Sequence, residues 1–596
     1  MEKFSSKNGV SVYAYKGDAM TLLAFDLEKN LTEGLAGFSI KVKTGSKEYY
    51  LYNKLKFNSK IKLHKEPKYV RERYSTEFSP IQKFRWIHVP SSEHYVGNPQ
   101  FGEYTYEITP RYIKDKTLLA PDKNLTVDVT IDVSPFKDGD IAVGFTRSFI
   151  SSQAFAYHFG NNLNLKPKGA GLVFDLKQQA GTAKRYNKAE KKFTEMPFTY
   201  EEIHEYLGWQ ARDMITGFLN EALADKTMRL DVFAYDLNEP TVVDAFLKLA
   251  KHGRIRIILD DYPGHRKAGS AEMVFEKEFK KIAKNKDDIF RGNFSSQAHS
   301  KVFIMRKNNK AAKAVKVLTG STNFTLNGLC VNANHTIIFN NKDEAQLYAD
   351  MFDLSFGDEK MDSFKKSPEA KKDFNFQPNG LPDMTIRFSP HPAAVVKEFF
   401  GKIAKKINEA TSDVLFAVMK DDSSSIILDA LQKQVKADDI FTAGITDVRK
   451  GMQLYKPNKR TGIRISGLEI ATKLPKPFNN IIKVPGLGHN IHHKFVVVDF
   501  KGANPVVYCG SSNLAYTPEQ NNGDNLIEIR DKDIVLAFAI EAIRLIDHYS
   551  WLNRMLEGET EKDELFLYDN TQKTRWYKKY YNPKDLRCLE RELLMR

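Results

Sequence analysis

Two stretches hold residues whose types and spacing suit chemistry on a phosphate. One reads His492-His493-Lys494-Phe495-Val496-Val497-Val498-Asp499, followed by Gly510-Ser511-Ser512-Asn513. The other reads His299-Ser300-Lys301-Val302-Phe303-Ile304, followed by Gly320-Ser321-Thr322-Asn323. In each, a His and a Lys two residues apart on an apolar run share one face of a strand. Gly-Ser-x-Asn, after a second apolar run, adds a tight turn with small polar groups beside that face. A core has no need of His, Lys, Ser and Asn together, whereas an anionic phosphate does. Lys supplies fixed charge, Ser and Asn supply hydrogen bonds, and His attacks or donates a proton at neutral pH. Eleven positions after each Asn stands another polar residue, Asn334 in the first copy and Asp524 in the second. One His-x-Lys arises often by chance; two copies with matched followers mark an internal repeat.

At these residues the sequence resembles the phospholipase D superfamily, whose signature is His-x-Lys, four residues, Asp, and then Gly-Ser-x-Asn. The second copy matches in full with His492, Lys494, Asp499, Gly510, Ser511 and Asn513. The first departs, with Arg306 where the Asp belongs; the tyrosyl-DNA phosphodiesterase branch is similar in lacking that Asp. The matching motifs fall within residues 200 to 560, so the first third of the chain lies outside the resemblance. The resemblance implies two pseudo-symmetric α-β-α units sharing one active site, with His299 as nucleophile and His492 as general acid.

The chemistry asks for both copies. A phosphodiester repels nucleophiles with its anionic oxygens and has a poor alkoxide leaving group. One imidazole attacking in line, forming a phosphohistidine, and another protonating the leaving oxygen address both problems. Lys301, Lys494, Asn323 and Asn513 would bind the non-bridging oxygens. Asn334 and Asp524 would orient the imidazoles from behind, and Ser321 and Ser511 shape the turns. Asp499 supports the motif rather than touching phosphate, and His493 points to the opposite strand face. The spacing calls for no metal or other cofactor and shows no compact carboxylate cluster to hold one. His204, His252 and His265 have no motif partners and default to surface or core roles.

Composition bounds the partners. The 596 residues carry 90 Lys and Arg against 75 Asp and Glu, a formal net charge of +15. That balance favours polyanions, nucleic acid first and anionic phospholipid second. No apolar leader follows Met1, and no apolar run reaches the ~18 residues of a membrane span. Three scattered cysteines exclude a disulfide framework and fit a reduced, cytoplasmic setting.

Along the chain, residues 1–145 read as an all-β sandwich, with Leu125, Val127, Val129, Ile131 and Val133 in strict alternation. Around Gly102 this region resembles a fibronectin type III or immunoglobulin-like module. Residues 146–200 read as a connection, with the Lys-rich 178–192 as a flexible loop. The repeats are expected at 201–380 and 381–560, each opening with strand-helix-strand units of a mostly parallel sheet. Residues 561–596 form a basic, aromatic end that docks on the fold. The class is α/β, and one chain suffices for the composite site, with higher oligomers open. Three functions remain: a metal-independent nuclease, a phospholipase D acting on lipid head groups, and a non-catalytic binding module.

Overall fold

Val302, Phe303, Ile304 and Met305 are all buried, and so are Phe495, Val496, Val497 and Val498. Such unbroken apolar runs are what a sheet covered on both faces requires. The computed structural model describes residues 1–58, 60–90, 100–160, 164–187, 192–309, 311–377, 382–419, 424–437, 440–448, 451–456, 459–466, 490–557, 566–569 and 575–596. Two large sheets carry the repeats. The first runs, edge to edge, Phe136–Asp138, Ile141–Phe145, His335–Phe339, Ala314–Gly320, Lys301–Lys307, Met228–Ala234, Ile255–Asp260 and Ile289–Gly292. The second runs Phe374–Phe376, Asp383–Phe388, Asn525–Arg530, Val506–Gly510, Lys494–Val498, Asp413–Met419 and Phe441–Val448, then a hairpin of Gly451–Lys456 and Lys459–Ser466. The first seven places correspond one for one, as duplication demands.

Both sheets are mixed rather than mostly parallel. Parallel pairing joins Met228–Ala234, Ile255–Asp260 and Ile289–Gly292 in the first sheet, and Asp413–Met419 with Phe441–Val448 in the second. The connections from each His-bearing strand to its Gly-Ser strand are too short for a crossover, so they fold back antiparallel.

Alternate residues of each sheet serve different cores. Val302, Ile304, Phe495 and Val497 join one central core containing the helices Lys342–Ser355 and Lys532–Glu557. Phe303 and Met305 instead face the helices Tyr200–Ala224, Pro240–Lys251 and Ala271–Ile282. Val496 and Val498 face Ala393–Asn408 and Ile426–Ala437. The repeats therefore stack as helices, sheet, shared helices, sheet, helices.

The N-terminal region is sheet-rich. Glu2–Lys7, Val10–Lys16, Thr21–Leu27 and Arg85–His88 form one sheet, and Leu35–Thr44, Lys47–Tyr50, Gly102–Lys114, Thr117–Leu118 and Val127–Val133 form another. Val12, Phe25, Phe38, Ile40, Tyr106 and Val129 share the core between them. The sandwich ends earlier than residue 145. Phe136–Asp138 and Ile141–Phe145 alternate like sandwich strands, but they pair with His335–Phe339 and bury Ile141, Val143 and Phe145 in the central core. They match Phe374–Phe376 and Asp383–Phe388 in the second sheet.

Residues 146–200 are likewise more than a connection. They hold a helix, Gln153–Phe159, and a hairpin of Gln179–Asn187 with Lys192–Thr199, where a loop was expected. Only one face of the hairpin is apolar, with Ala183 and Phe198 buried, so its Lys-rich outer face hides the pattern. In the second unit four residues, from Ser389 to Pro392, make the same link. The C-terminal end docks on the sandwich: Trp576 Nε1 donates to the Leu35 carbonyl at 3.0 Å, and Tyr581 Oη to that of Leu27 at 2.6 Å.

Candidate active site

Each His precedes its strand, and two backbone clasps bring those ends together. Ala333 N donates to the Asn490 carbonyl at 2.7 Å and His492 N to that of Ala333 at 3.0 Å. Gly523 N donates to the Gln297 carbonyl at 2.8 Å, and Ser295 N and Ser296 N to that of Asn521 at 3.0 and 3.1 Å. The chain leading to Asn334 thus lies along the chain leading to His492, and the same holds for Asp524 and His299.

The imidazoles are consequently paired crosswise between repeats. His299 Nδ1 donates to Asp524 Oδ1 at 2.7 Å. His492 Nδ1 faces Asn334 Oδ1 at 2.9 Å and the Ser321 carbonyl at 3.0 Å. The Asn334 amide is oriented by its Nδ2, which donates to the Gly328 carbonyl at 2.8 Å. Because these partners only accept, each ring carries its proton on Nδ1 and leaves Nε2 for the chemistry. Burial lowers the His299 pKa from its ordinary value, with Asp524 opposing, so the ring is neutral at pH 7.

The serines fix the spacing. His335 N donates to Ser321 Oγ at 3.1 Å, and Asn525 N to Ser511 Oγ at 3.0 Å. Each serine thereby pins the residue that follows Asn334 or Asp524. Gly320 and Gly510 adopt φ of +141° and +127°, and a Cβ on either would overlap the carbonyl of His335 or Asn525. Only glycine fits there.

Lys301 Nζ donates to the His299 carbonyl, and Lys494 Nζ to that of His492 at 2.8 Å. Both lysines are buried. Burial pulls the Lys301 pKa down to about 8 against the pull of Asp524, Asp236 and Asp260. Asn323 Nδ2 donates to Asp236 Oδ2 at 2.8 Å, and among the described residues the Oδ1 atoms of Asn323 and Asn513 have no hydrogen-bond partner.

Asp499 and Arg306 lie at the far ends of their strands. Asp499 Oδ1 accepts from Thr411 N at 2.7 Å and Ser412 N at 2.9 Å, tying strand to loop. Arg306 does the same job with opposite charge, reaching Asp231 at 2.7 Å, Asp353 at 2.9 Å and the Ala312 carbonyl at 2.6 Å. The departure from the motif leaves the first strand anchored. His493 turns inward, its Nε2 3.2 Å from Glu541 Oε1 and its Nδ1 3.3 Å from His335 Nδ1.

Five residues escaped the sequence reading. Asp260 Oδ1 accepts from Ala298 N at 2.6 Å, and Asp447 Oδ2 from Asn490 N and Ile491 N at 2.8 and 3.0 Å. These matched carboxylates hold the approach to each catalytic-motif His. Tyr235 packs its ring 4.7 Å from that of His299 and 4.7 Å from Lys301 Nζ. His265, assigned no partner, lies between Asp236 at 2.7 Å and Asp260 at 2.8 Å. Asp236, Tyr235, Asp260 and Asp447 end or follow parallel strands, where open α/β sheets place their sites, and that signal was available.

Asp236, His265 and Glu272 bring ligand-type atoms within 4.8 Å of one another. Both ring nitrogens of His265 face carboxylates, however, and burial notwithstanding Asp236 and Asp260 raise its pKa to about 10. With a carboxylate at each ring nitrogen, His265 is held in an ion-paired network with Asp236 and Asp260.

The family model described as cardiolipin synthase, PLD-like domain matches residues 219–355 and 403–546, one segment in each repeat. These two segments are phospholipase D-like domains. No curated protein sequence matches it. Solved structures similar to it include phosphatidylserine synthase from Haemophilus influenzae, with 10% identity over 56% of this chain and 83% of that one and a TM-score of 0.38. Polyphosphate kinase from Porphyromonas gingivalis has 12% identity over 57% and 45% of the two chains, with a TM-score of 0.37. Yeast tyrosyl-DNA phosphodiesterase has 10% identity over 53% and 87%, with a TM-score of 0.28. This chain thus spans less than half of the polyphosphate kinase. Within this two-segment pattern, the crosswise pairs lie between the two matched segments.

Proposed function

We propose that this protein is a metal-independent phosphodiesterase acting on nucleic acid through a phosphohistidine on His299. The supporting observation is the unequal backing of the two imidazoles, a carboxylate behind His299 and a carboxamide behind His492. A carboxylate stabilises the positive charge a ring gains on phosphorylation, while a neutral amide leaves the other ring a readier acid. In the first step His299 Nε2 forms the N–P bond, the P–O bond breaks, and His492, entering as an imidazolium with a second proton on Nε2, gives that proton to the leaving oxygen. In the second, His492 takes a proton from water, the water oxygen bonds phosphorus, and His299 departs neutral. Lys301, Lys494, Asn323 and Asn513 bind the non-bridging oxygens in both steps.

Nucleic acid is favoured by the net charge of +15. A lipid head group is the second reading, favoured by the match to the cardiolipin synthase PLD-like domain. No described helix is long and apolar enough to cross a membrane. A reduced, cytoplasmic setting belongs to the same proposal and fits Cys330, Cys509 and Cys588, all buried as free thiols. The test is turnover in EDTA by wild type, His299→Ala and His492→Ala on single- and double-stranded DNA, RNA and choline phospholipid. Nucleic-acid cleavage lost in both variants is the expected result. Head-group release with inert nucleic acid moves the assignment to lipid, and binding without turnover on any substrate makes the chain a binding module.

A further inference from the structure

The insert of residues 146–199 exists in one repeat only, and it builds a basic and aromatic patch beside the second imidazole's support. Thr146 Oγ1 donates to the Asn332 carbonyl at 2.7 Å and accepts from Asn334 N at 2.9 Å, while Thr146 N donates to the Asn334 carbonyl at 3.0 Å. The next residue, Arg147, holds its guanidinium 4.2 Å from the Tyr206 ring and 3.8 Å from the Trp209 ring. No ion pair with a carboxylate is formed by Arg147 among the described residues. Its Nη2 and the Trp209 indole nitrogen are buried donors with no hydrogen-bond partner among the described residues. Trp209 breaks the helix Tyr200–Ala224 with φ of +46°, a conformation a bulky residue adopts only under constraint.

The patch continues outward. Tyr206 lies 5.3 Å from His158, His158 5.3 Å from Tyr157, and Tyr157 4.7 Å from the guanidinium of Arg71 on the sandwich. Arg185, from the hairpin, packs 5.6 Å from Phe198 and leaves Nε and Nη2 without hydrogen-bond partners among the described residues. Its carboxylate neighbour, Glu202, stands at 3.8 Å. His158 records the convergence: burial first, then Arg147, Arg185 and Arg71, bring its pKa down to about 3. Buried cationic donors without acceptors are costly unless an anion completes them. Guanidinium groups interleaved with aromatic faces suit a strand whose phosphates and bases alternate.

We propose that Arg71, Arg147 and Arg185, with Tyr157, Tyr206 and Trp209, form a subsite for a single-stranded nucleic acid, holding a phosphate and a stacked base away from the scissile bond. This rests on the nucleic-acid reading of the active site. It assigns the insert a purpose: adding a contact to the strand on the His492 side.

The test reads binding separately from turnover. A fluorescent oligodeoxythymidylate of about 12 nucleotides is titrated into the full-length His299→Ala protein at several salt concentrations, with Arg147→Met, Arg147→Lys and Arg185→Met added singly. Arg147→Met is expected to weaken binding about tenfold and to reduce the salt slope by roughly 0.7, the share of one phosphate on a single strand. Arg147→Lys is expected to keep the slope and lose part of the affinity, because charge stays and stacking goes. Unchanged affinity and slope in folded Arg147→Met and Arg185→Met protein overturns the subsite. Should Arg147→Met fail to fold, Arg185→Met, whose side chain is part-exposed, decides alone. Arginine-dependent binding to phosphatidylglycerol vesicles without oligonucleotide binding also overturns it, in favour of lipid. DNA cleavage with arginine-independent binding removes the subsite and keeps the catalytic reading; arginine-dependent binding without turnover does the reverse.

Discussion

Replacing Asp524 by Asn tests the reasoning most directly, because it makes the His299 pair a copy of the His492 pair. The carboxylate lies 2.7 Å from His299 Nδ1, and the two side chains are 5% and 0% exposed. A hydrogen bond to a charged group contributes about 1.5–3 kcal/mol net, against about 0.5–1.5 for a neutral one. The isosteric change keeps the acceptor and removes the charge, so it costs the transition state about 1.5 kcal/mol, or roughly tenfold in kcat/KM. The same change removes the group that opposes burial's effect on His299. The imidazole pKa then falls further, and the acid limb of the rate profile moves down with it. Hydrolysis of bis(p-nitrophenyl) phosphate across the pH range, with chemical trapping of the phosphoenzyme, measures both effects. A rate as low as that of His299→Ala would make Asp524 a reacting group in its own right. A rate and acid limb both unchanged would show that the carboxylate does not feed the nucleophile, and the argument for unequal roles would fall.

Three further outcomes are expected. Exchanging the two partners in the double variant Asn334→Asp, Asp524→Asn should move the trapped phosphoryl group from His299 to His492, read by mapping the labelled peptide; label staying on His299 would show that backing does not set the roles. Activity should decline as pH rises through about 8, where Lys301 loses its proton. The unfolded side chain keeps that proton up to its ordinary 10.5, so between the two values the penalty for burying the charge is relieved and the stability contribution rises while the rate falls. Opposite slopes in parallel activity and denaturation series would establish the assignment, and slopes of one sign would refute it. Arg306→Met should lower stability by about 2 kcal/mol in urea, less than the roughly 3–5 of a stranded buried charge, because Arg256 still holds Asp231 at 2.8 and 2.7 Å. Its kcat on folded protein should stay near wild type.

Legibility in the sequence followed the range of the interactions. His299, Lys301, His492 and Lys494 could be read because strand period two is a local property. Asn334 and Asp524 could be flagged by matched spacing, but not assigned to an imidazole, since the clasps that cross them join residues far apart in the chain. Asp260 and Asp447 act through backbone amides and carry no motif of their own. The sandwich boundary was misplaced because Ile141, Val143 and Phe145 alternate identically whichever core receives them. The sheets were expected to be mostly parallel because strand-helix-strand spacing dominates each unit's opening, while the antiparallel majority is set by short returns further on.

Crosswise pairing also explains why duplication alone does not leave the halves equivalent. With each His oriented by the opposite repeat, a substitution at either partner position alters one imidazole without disturbing its own strand, turn or serine. Asp524 and Asn334 therefore diverge in charge while Ser511 and Ser321 keep the same bond to the following amide. The strand anchors diverge in the same way, Asp499 accepting from backbone amides and Arg306 donating to carboxylates. What stays matched is one bond of each clasp, Ala333 N to the Asn490 carbonyl and Gly523 N to that of Gln297. What differs is the charge behind each ring, and the proposed two-step transfer would use that difference, one imidazole holding the phosphoryl group while the other moves protons.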